Sequence, residues 1–128
     1  MAVHIVRLGT ARHRDEGLRI GTVRRPPRGV PKSEFATRNY YDVWLPQLSP
    51  SPEVMKLAQM AASPVEFEKA MRQFQQEMGK PDNNHLLDVL AALSGSVNFS
   101  VGCYCEEEGR CHRSVLRRLL EERGAEVI

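Results

Sequence analysis

The residues best suited to chemistry lie in one short segment, CYCEEEGRCHR, which runs from Cys103 to Arg113. It holds all three cysteines of the chain, one of its four histidines, three consecutive glutamates and two arginines. Thiols and imidazoles are ligands of zinc, and a thiolate beside cationic groups is also a nucleophile. The segment is therefore a candidate metal site, reactive thiol or anion pocket.

The spacing of these residues weakens the metal interpretation. The weak candidate ligands number four, which is the count that a structural zinc needs: Cys103, Cys105, Cys111 and His112. Zinc motifs usually separate paired cysteines by about two to four residues, and an adjacent Cys-His pair is an awkward chelator. If Cys103 lies on the inward face of a strand, only three ligands remain. We first interpret the cysteines as small packing residues without a cofactor, and a zinc-stabilised structural domain is an alternative.

A catalytic thiol has a clearer physical basis than a metal site. A cysteine at a helix N-terminus beside His and Arg has a lowered pKa, which makes Cys111 a candidate nucleophile. The phosphatase-type pattern Cys-x5-Arg does not begin at Cys103 or Cys105, because that spacing leads from Cys105 to Cys111 and from Cys103 to Gly109. The three glutamates would also raise a thiol pKa and repel phosphate. His112 is the clearer catalytic candidate, as a general acid or base.

The elements around this segment are predicted from apolar periodicity. Residues 97–103 alternate between apolar and small or polar side chains, which predicts a strand, and Val115 to Leu120 predict a helix that begins near Cys111. In α/β sheets, ligands bind outside the carboxyl ends of the strands, near helix N-termini. Arg110 and Arg113 are therefore candidate ligand-binding residues for an anion.

The rest of the chain predicts an α/β protein. Further elements are strands over 3–8 and 18–23, helices that begin at Ser51, at Ser63 and at Asp82, and a last short strand over 125–128. This order indicates a single compact domain over residues 1–128, with a small, mostly parallel sheet flanked by helices.

The composition excludes several classes of protein. The chain has 128 residues, of which 41% are hydrophobic and 27% charged, and no apolar run is long enough to cross a bilayer. Its first residues do not form a secretory signal, and the odd number of cysteines argues against a disulfide framework. We therefore expect a cytoplasmic protein with no membrane partner, in an oligomeric state that the sequence leaves open.

Charge is distributed unevenly along the chain. Residues 1–38 carry nine Lys or Arg and three Asp or Glu, a net +6, whereas the remainder carries nine and thirteen, a net −4. Such a block attracts phosphates or nucleic acid, although it is equally typical of a solvated surface. It indicates a second class of function, a non-enzymatic nucleic-acid-binding module that acts through the basic N-terminal third.

Several segments spread along the chain form a pattern shared with a known family. They are Arg19-Ile20, Arg24, Pro27-Arg28-Gly29-Val30-Pro31-Lys32, the stretch 44–53, and Cys111-His112-Arg113-Ser114-Val115-Leu116. Over residues 17–123 the chain resembles the YeaO-like family, domain of unknown function 488 (DUF488). The resemblance implies a soluble, compact α/β domain of bacterial or archaeal type with no assigned activity.

The chain also departs from this family pattern at three places. Members usually show an Asp after the second strand and a Leu-Trp pair before Pro-Arg-Gly, whereas here those places hold Val23, Arg25 and Pro26. The loss of the acid removes one source of acid-base chemistry.

The residues and the resemblance together predict one site. If the 24–29 and 103–113 loops open at the same sheet edge, a cationic set could converge on one anionic ligand, namely Arg24, Arg28, His112 and Arg113. We expect a phosphate-bearing small molecule, such as a nucleotide, or a nucleic-acid end, and whether the protein is an enzyme stays open. In the alternative interpretation His112 bonds a backbone carbonyl, and the arginines pair with the glutamates at 106–108.

Overall fold

The alternation of bulky and small residues near the cysteines produces the central strand of a sheet. The computed structural model describes residues 1–128, and its four strands are β1 (Val3–Arg7), β2 (Leu18–Gly21), β3 (Val43–Trp44) and β4 (Phe99–Cys103). Their order in the sheet is β1-β4-β2-β3, and every residue of β4 is buried. Gly102 leaves room in this strand for its neighbours, since a Cβ there would lie 2.5 Å from Leu8 Cδ2 and 2.9 Å from Val6 Cγ2 and would displace both side chains.

All strand pairs are parallel, so the carboxyl ends of the strands lie along one edge. Phe99 of β4 pairs with Val3 of β1 on one side and with Leu18 of β2 on the other. The predicted mostly parallel sheet is confirmed, and it is parallel throughout. The predicted last strand is reduced to a single parallel bridge between Val127 and Val3, and β3 was not predicted.

Four helices complete the domain, and their starts follow the predicted caps. They are α1 (Pro52–Met60), α2 (Pro64–Met78), α3 (Pro81–Leu93) and α4 (Arg113–Glu122). The Ser51 hydroxyl accepts a hydrogen bond from the Val54 N–H, and the Ser63 hydroxyl accepts one from the Glu66 N–H. Each cap satisfies an amide that the helix itself leaves free. None of the four helices has the length and hydrophobicity that a bilayer crossing requires.

The helices and the sheet share one apolar core. Deeply buried side chains of this core come from β1, from β4 and from three of the helices: Val3, Val101, Phe74, Met78, Leu87, Leu116 and Leu120. A smaller apolar cluster lies beyond it and consists of Leu8, Val23, Tyr41, Cys103 and Cys111. The α/β class is thereby confirmed, and the second cluster fixes two of the three cysteines beside the strand ends.

Candidate functional site

The carboxyl ends of β2 and β4 open into a cleft of about 560 Å³. We call it the basic cleft, and its lining residues are Val23, Arg24, Arg25, Pro52, Met55, Lys56, Gln59, Cys103, Tyr104 and His112. Three of these side chains are cationic and none is acidic. A concave site lined by one sign of charge concentrates ligands of the opposite sign. The basic cleft therefore favours an anion.

Arg24 lies in the basic cleft, as predicted, but most of its guanidinium is already used. Its Nε and Nη2 donate to the Pro50 carbonyl at 3.2 and 3.0 Å, and its Nη2 also donates to the Ser49 carbonyl at 3.2 Å. These bonds tie the segment after β2 to the start of α1. Arg24 thus builds the wall of the cleft and keeps only its Nη1 for a ligand.

The other predicted arginines lie outside the basic cleft. Arg28 is exposed on its loop, and Arg110 lines a different cleft, against the α1–α2 connection. Arg113 is buried, with its Nη2 donating to the Cys105 carbonyl at 2.7 Å and its Nε to Cys111 Sγ at 3.4 Å. Of the predicted convergent set, the structure brings only Arg24 and His112 to one cleft.

Two cations of the basic cleft were missed by the sequence reasoning. Arg25 and Lys56 are exposed, and their side chains make no hydrogen bond or ion pair. The Tyr104 hydroxyl donates to the backbone carbonyl of Arg25 at 2.8 Å and so holds this segment beside the end of β4. The Ser51 cap places the start of α1, but nothing in the sequence places α1 beside the sheet edge.

His112 is buried at the start of α4 and is bonded on both ring nitrogens. Its Nε2 lies 2.7 Å from the carbonyl oxygen of Thr22, and its Nδ1 lies 3.6 Å from Cys111 Sγ. A carbonyl oxygen only accepts, so Nε2 carries a proton, and in the neutral ring Nδ1 is the acceptor that faces the Cys111 thiol. This is the carbonyl bond of the alternative interpretation, whereas Glu108 pairs with Arg117, an arginine outside the predicted set.

The three cysteines form a polar cluster with His112. Cys103 Sγ and Cys105 Sγ are 3.7 Å apart, and the ligand atoms of Cys103, Cys111 and His112 all lie within 4.8 Å of one another. All three thiols are free, and Cys105 alone is exposed. Cys103 and Cys111 pack in the smaller apolar cluster, and together with His112 they form a set that could hold a metal ion.

The three thiols of this cluster differ in the direction of their pKa shifts. Hydrogen bonds with Cys105 and Cys111, together with burial, raise the pKa of Cys103. The hydrogen bonds from Cys103 and Cys111 lower the pKa of Cys105, assisted by the charge of Arg113. The bond from Cys103 and the nearby protonated form of His112 likewise lower the pKa of Cys111, against burial and the bond with Cys105, which raise it. The cluster therefore stabilises negative charge on sulfur.

Much of the basic N-terminal third is neutralised within the chain. Arg12 pairs with Asp42 at 2.8 Å, Arg19 with Glu16 at 2.5 Å and Arg38 with Glu34 at 3.9 Å. Arg7 lies 4.0 Å from Glu106, and Arg24 bonds the carbonyls described above. Four side chains of the block make no such contact, namely Arg14, Arg25, Arg28 and Lys32. Of these four, only Arg25 lines the basic cleft.

Among known proteins, the chain matches one family model. The family model DUF488-N3a, described as the active DUF488-N3 subclade, matches residues 3–124. No curated protein and no solved structure matches the chain. The matched range includes both loops of the basic cleft and the whole cysteine-histidine cluster, while the finer YeaO-like resemblance stays a prediction. The chain belongs to the DUF488 family.

Proposed function

We propose that the protein binds a phosphate-bearing small molecule of nucleotide type in the basic cleft. The observation that carries this proposal is the lining, in which Arg24, Arg25 and Lys56 meet no acidic side chain. A phosphate group there gains charge-assisted hydrogen bonds that these cations do not already make within the chain. The cost of desolvating Arg25 and Lys56 is small because both are exposed.

The size and the remaining lining of the cleft favour a small ligand over a polymer. A volume of about 560 Å³ lies within the range of roughly 300–1,000 Å³ that is typical of small-molecule pockets. Val23, Met55 and Tyr104 supply apolar and aromatic surface beside the cations. A ligand with a flat ring and a phosphate group uses both kinds of surface, which is why we propose a nucleotide-like molecule.

Thermal shift and calorimetric titration with inorganic phosphate, AMP, ADP and uncharged adenosine test this proposal. We expect a phosphate-bearing ligand to raise Tm, since a ligand at one hundred times its Kd stabilises the fold by about 2.7 kcal/mol. Arg25→Ala and Lys56→Gln should each weaken binding about tenfold, because each removes a charged hydrogen bond worth roughly 1.5 kcal/mol.

Lys69→Gln is the matched control, because Lys69 is an exposed helical lysine on α2 that does not line the basic cleft. It should leave binding unchanged. Binding that survives both cleft substitutions, or that is equally tight for adenosine, would show that the phosphate is not held by these cations.

Nucleic-acid binding by the N-terminal third stays a prediction, and it depends on Arg14, Arg25, Arg28 and Lys32. Four phosphate contacts to a single strand would give a slope of log K against log salt of about −3. Fluorescence anisotropy with a labelled oligonucleotide at several salt concentrations measures this slope. Under our proposal the basic cleft alone contributes, so the slope should be clearly shallower.

Catalysis by His112 or Cys111 also stays a prediction. His112 lines the basic cleft, but its Nε2 is bonded to the Thr22 carbonyl and its Nδ1 faces Cys111. Cys111 is buried and does not line the cleft. Binding is therefore the function that the geometry supports best.

A further inference from the structure

We propose that Cys103, Cys105, Cys111 and His112 Nδ1 together bind a zinc ion beside the basic cleft. In a tetrahedral zinc site, Zn–S bonds of about 2.3 Å and Zn–N bonds of about 2.0 Å separate two sulfur ligands by roughly 3.8 Å and a sulfur from a nitrogen by roughly 3.6 Å. Cys103 Sγ and Cys105 Sγ are 3.7 Å apart, and Cys111 Sγ and His112 Nδ1 are 3.6 Å apart. These two distances correspond to opposite edges of one such tetrahedron.

The two ligand pairs also lie close to each other. The ligand atoms of Cys103, Cys111 and His112 are within 4.8 Å of one another, so closing the site around an ion needs movements of about 1 Å. Cys105 is the exposed member and lies outside this three-residue group, so its Sγ, 3.7 Å from Cys103 Sγ, has to move toward Cys111 and His112 to complete the site. The set therefore has the four ligands of a closed structural site.

The backbone conformation allows the adjacent residues Cys111 and His112 to bind the same ion. Cys111 is extended, with φ −143° and ψ 153°, whereas His112 is already helical, with φ −59° and ψ −15°. The change of conformation between the two residues directs both side chains to the same side, as their 3.6 Å separation records. This change is produced by the start of α4.

The surroundings of the ligands match those of a metal site. His112 Nε2 donates to the Thr22 carbonyl at 2.7 Å, which fixes the ring and leaves Nδ1 as the ligand, and metal-bound histidines usually have such a partner. Arg113 is 3% exposed and is not paired with any carboxylate. A zinc ion with three thiolates carries a net charge of about −1. The Arg113 guanidinium, on Cys111 Sγ and the Cys105 carbonyl, compensates that charge.

Titration of the full, reduced chain with Co²⁺ tests the site. We expect one equivalent of cobalt to produce the visible d–d absorption of a tetrahedral ion and a thiolate-to-cobalt charge-transfer band in the near ultraviolet. One equivalent of Zn²⁺ should then abolish both. Cys105→Ser should weaken cobalt binding by at least about tenfold and reduce the charge-transfer band, because one of three thiolates is lost. Since Cys105 is exposed, this variant keeps the packed core.

Two results would overturn the proposal. One is a folded, reduced protein that shows no charge-transfer band with a full equivalent of cobalt. The other is a Cys105→Ser variant whose cobalt affinity and band intensity equal those of the wild type. Lys56→Gln should bind cobalt as the wild type does, so failure of the zinc site and failure of the phosphate site are observed separately.

Discussion

Two cationic regions of the molecule use their charges in opposite ways. Arg19 is 1% exposed, and all five of its N–H donors are occupied, by both Glu16 carboxylate oxygens and by the carbonyls of Thr10, Ala11 and Asn39. In the basic cleft, Arg25 and Lys56 donate to nothing within the chain. Arg19 has no N–H donor left for a ligand, whereas Arg25 and Lys56 keep all of their side-chain donors for one.

The buried region around Arg19, which we call the Arg19 cluster, is complete on its acidic side as well. Glu16 accepts from the His13 N–H at 2.7 Å and from the Ser100 hydroxyl at 3.0 Å, in addition to Arg19. It therefore ties the loop before β2 to the central strand. A cationic residue type alone does not indicate function, whereas the number of donors that the chain leaves unused does.

The largest effect should come from breaking the Arg19 cluster. Glu16→Ala leaves a buried guanidinium without its carboxylate, which typically costs about 3–5 kcal/mol. We expect the free energy of unfolding, measured with urea, to fall by this amount. A loss below roughly 1 kcal/mol would mean that the cluster is solvated in solution and would remove the contrast with the cleft.

Acid should weaken the same cluster without any substitution. Burial raises the pKa of Glu16, but the bonds from Arg19, His13 and Ser100 outweigh it and hold the pKa below the ordinary value of 4.5. Because the folded pKa is the lower one, this stabilisation is complete above pH 4.5 and is lost as the pH falls through the folded pKa. A protonated Glu16 still accepts some hydrogen bonds, so the loss should be smaller than in Glu16→Ala.

Urea unfolding at a series of acidic pH values measures this effect. Glu16→Gln removes the titrating group and should flatten the acid limb, although Asp42 keeps part of it because bonds from Arg12 and Arg19 outweigh its burial and lower its pKa too. An acid limb of unchanged steepness in Glu16→Gln would place the titration elsewhere.

The smallest effect on stability should come from the basic cleft. Lys56→Gln and Arg25→Ala alter exposed side chains that make no hydrogen bond or ion pair, so the free energy of unfolding should stay within about 0.5 kcal/mol of the wild type. The same variants should lose ligand affinity. A large stability loss with intact binding would reverse the roles that the comparison assigns to the two regions.

The elements that have strong local signals in the sequence were predicted correctly. The caps at Ser51 and Ser63 and the alternation of residues in β4 depend on near neighbours, and the structure confirms them. The edge strand at Val43 and Trp44 was missed, because two residues carry no readable periodicity and their pairing with β2 is set by the fold.

The site was predicted only in part, for reasons of three-dimensional placement. The sheet edge and His112 follow from the strand-loop-helix order, but Lys56 reaches the cleft only because α1 packs beside that edge. Spacing along the chain predicts a poor chelating pair at Cys111 and His112, and it does not report the backbone change that leaves Cys111 Sγ and His112 Nδ1 3.6 Å apart. Burial of Arg113 without an acidic partner is likewise visible only in the fold.

A second cationic cleft provides the internal reference for the central claim that the basic cleft binds an anion. This reference cleft, of about 570 Å³, is lined by Lys69, Arg72 and Lys80, but it also contains Glu77. Its size and cation count resemble those of the basic cleft, and the acidic side chain is the difference.

The most direct measurement is the anomalous difference map of a crystal soaked in tungstate, a heavy analogue of phosphate. Our account predicts a tungstate peak within hydrogen-bonding distance of Arg25 and Lys56 in the basic cleft. A peak confined to the reference cleft at Lys69, Arg72 and Lys80, with the basic cleft empty, would contradict it.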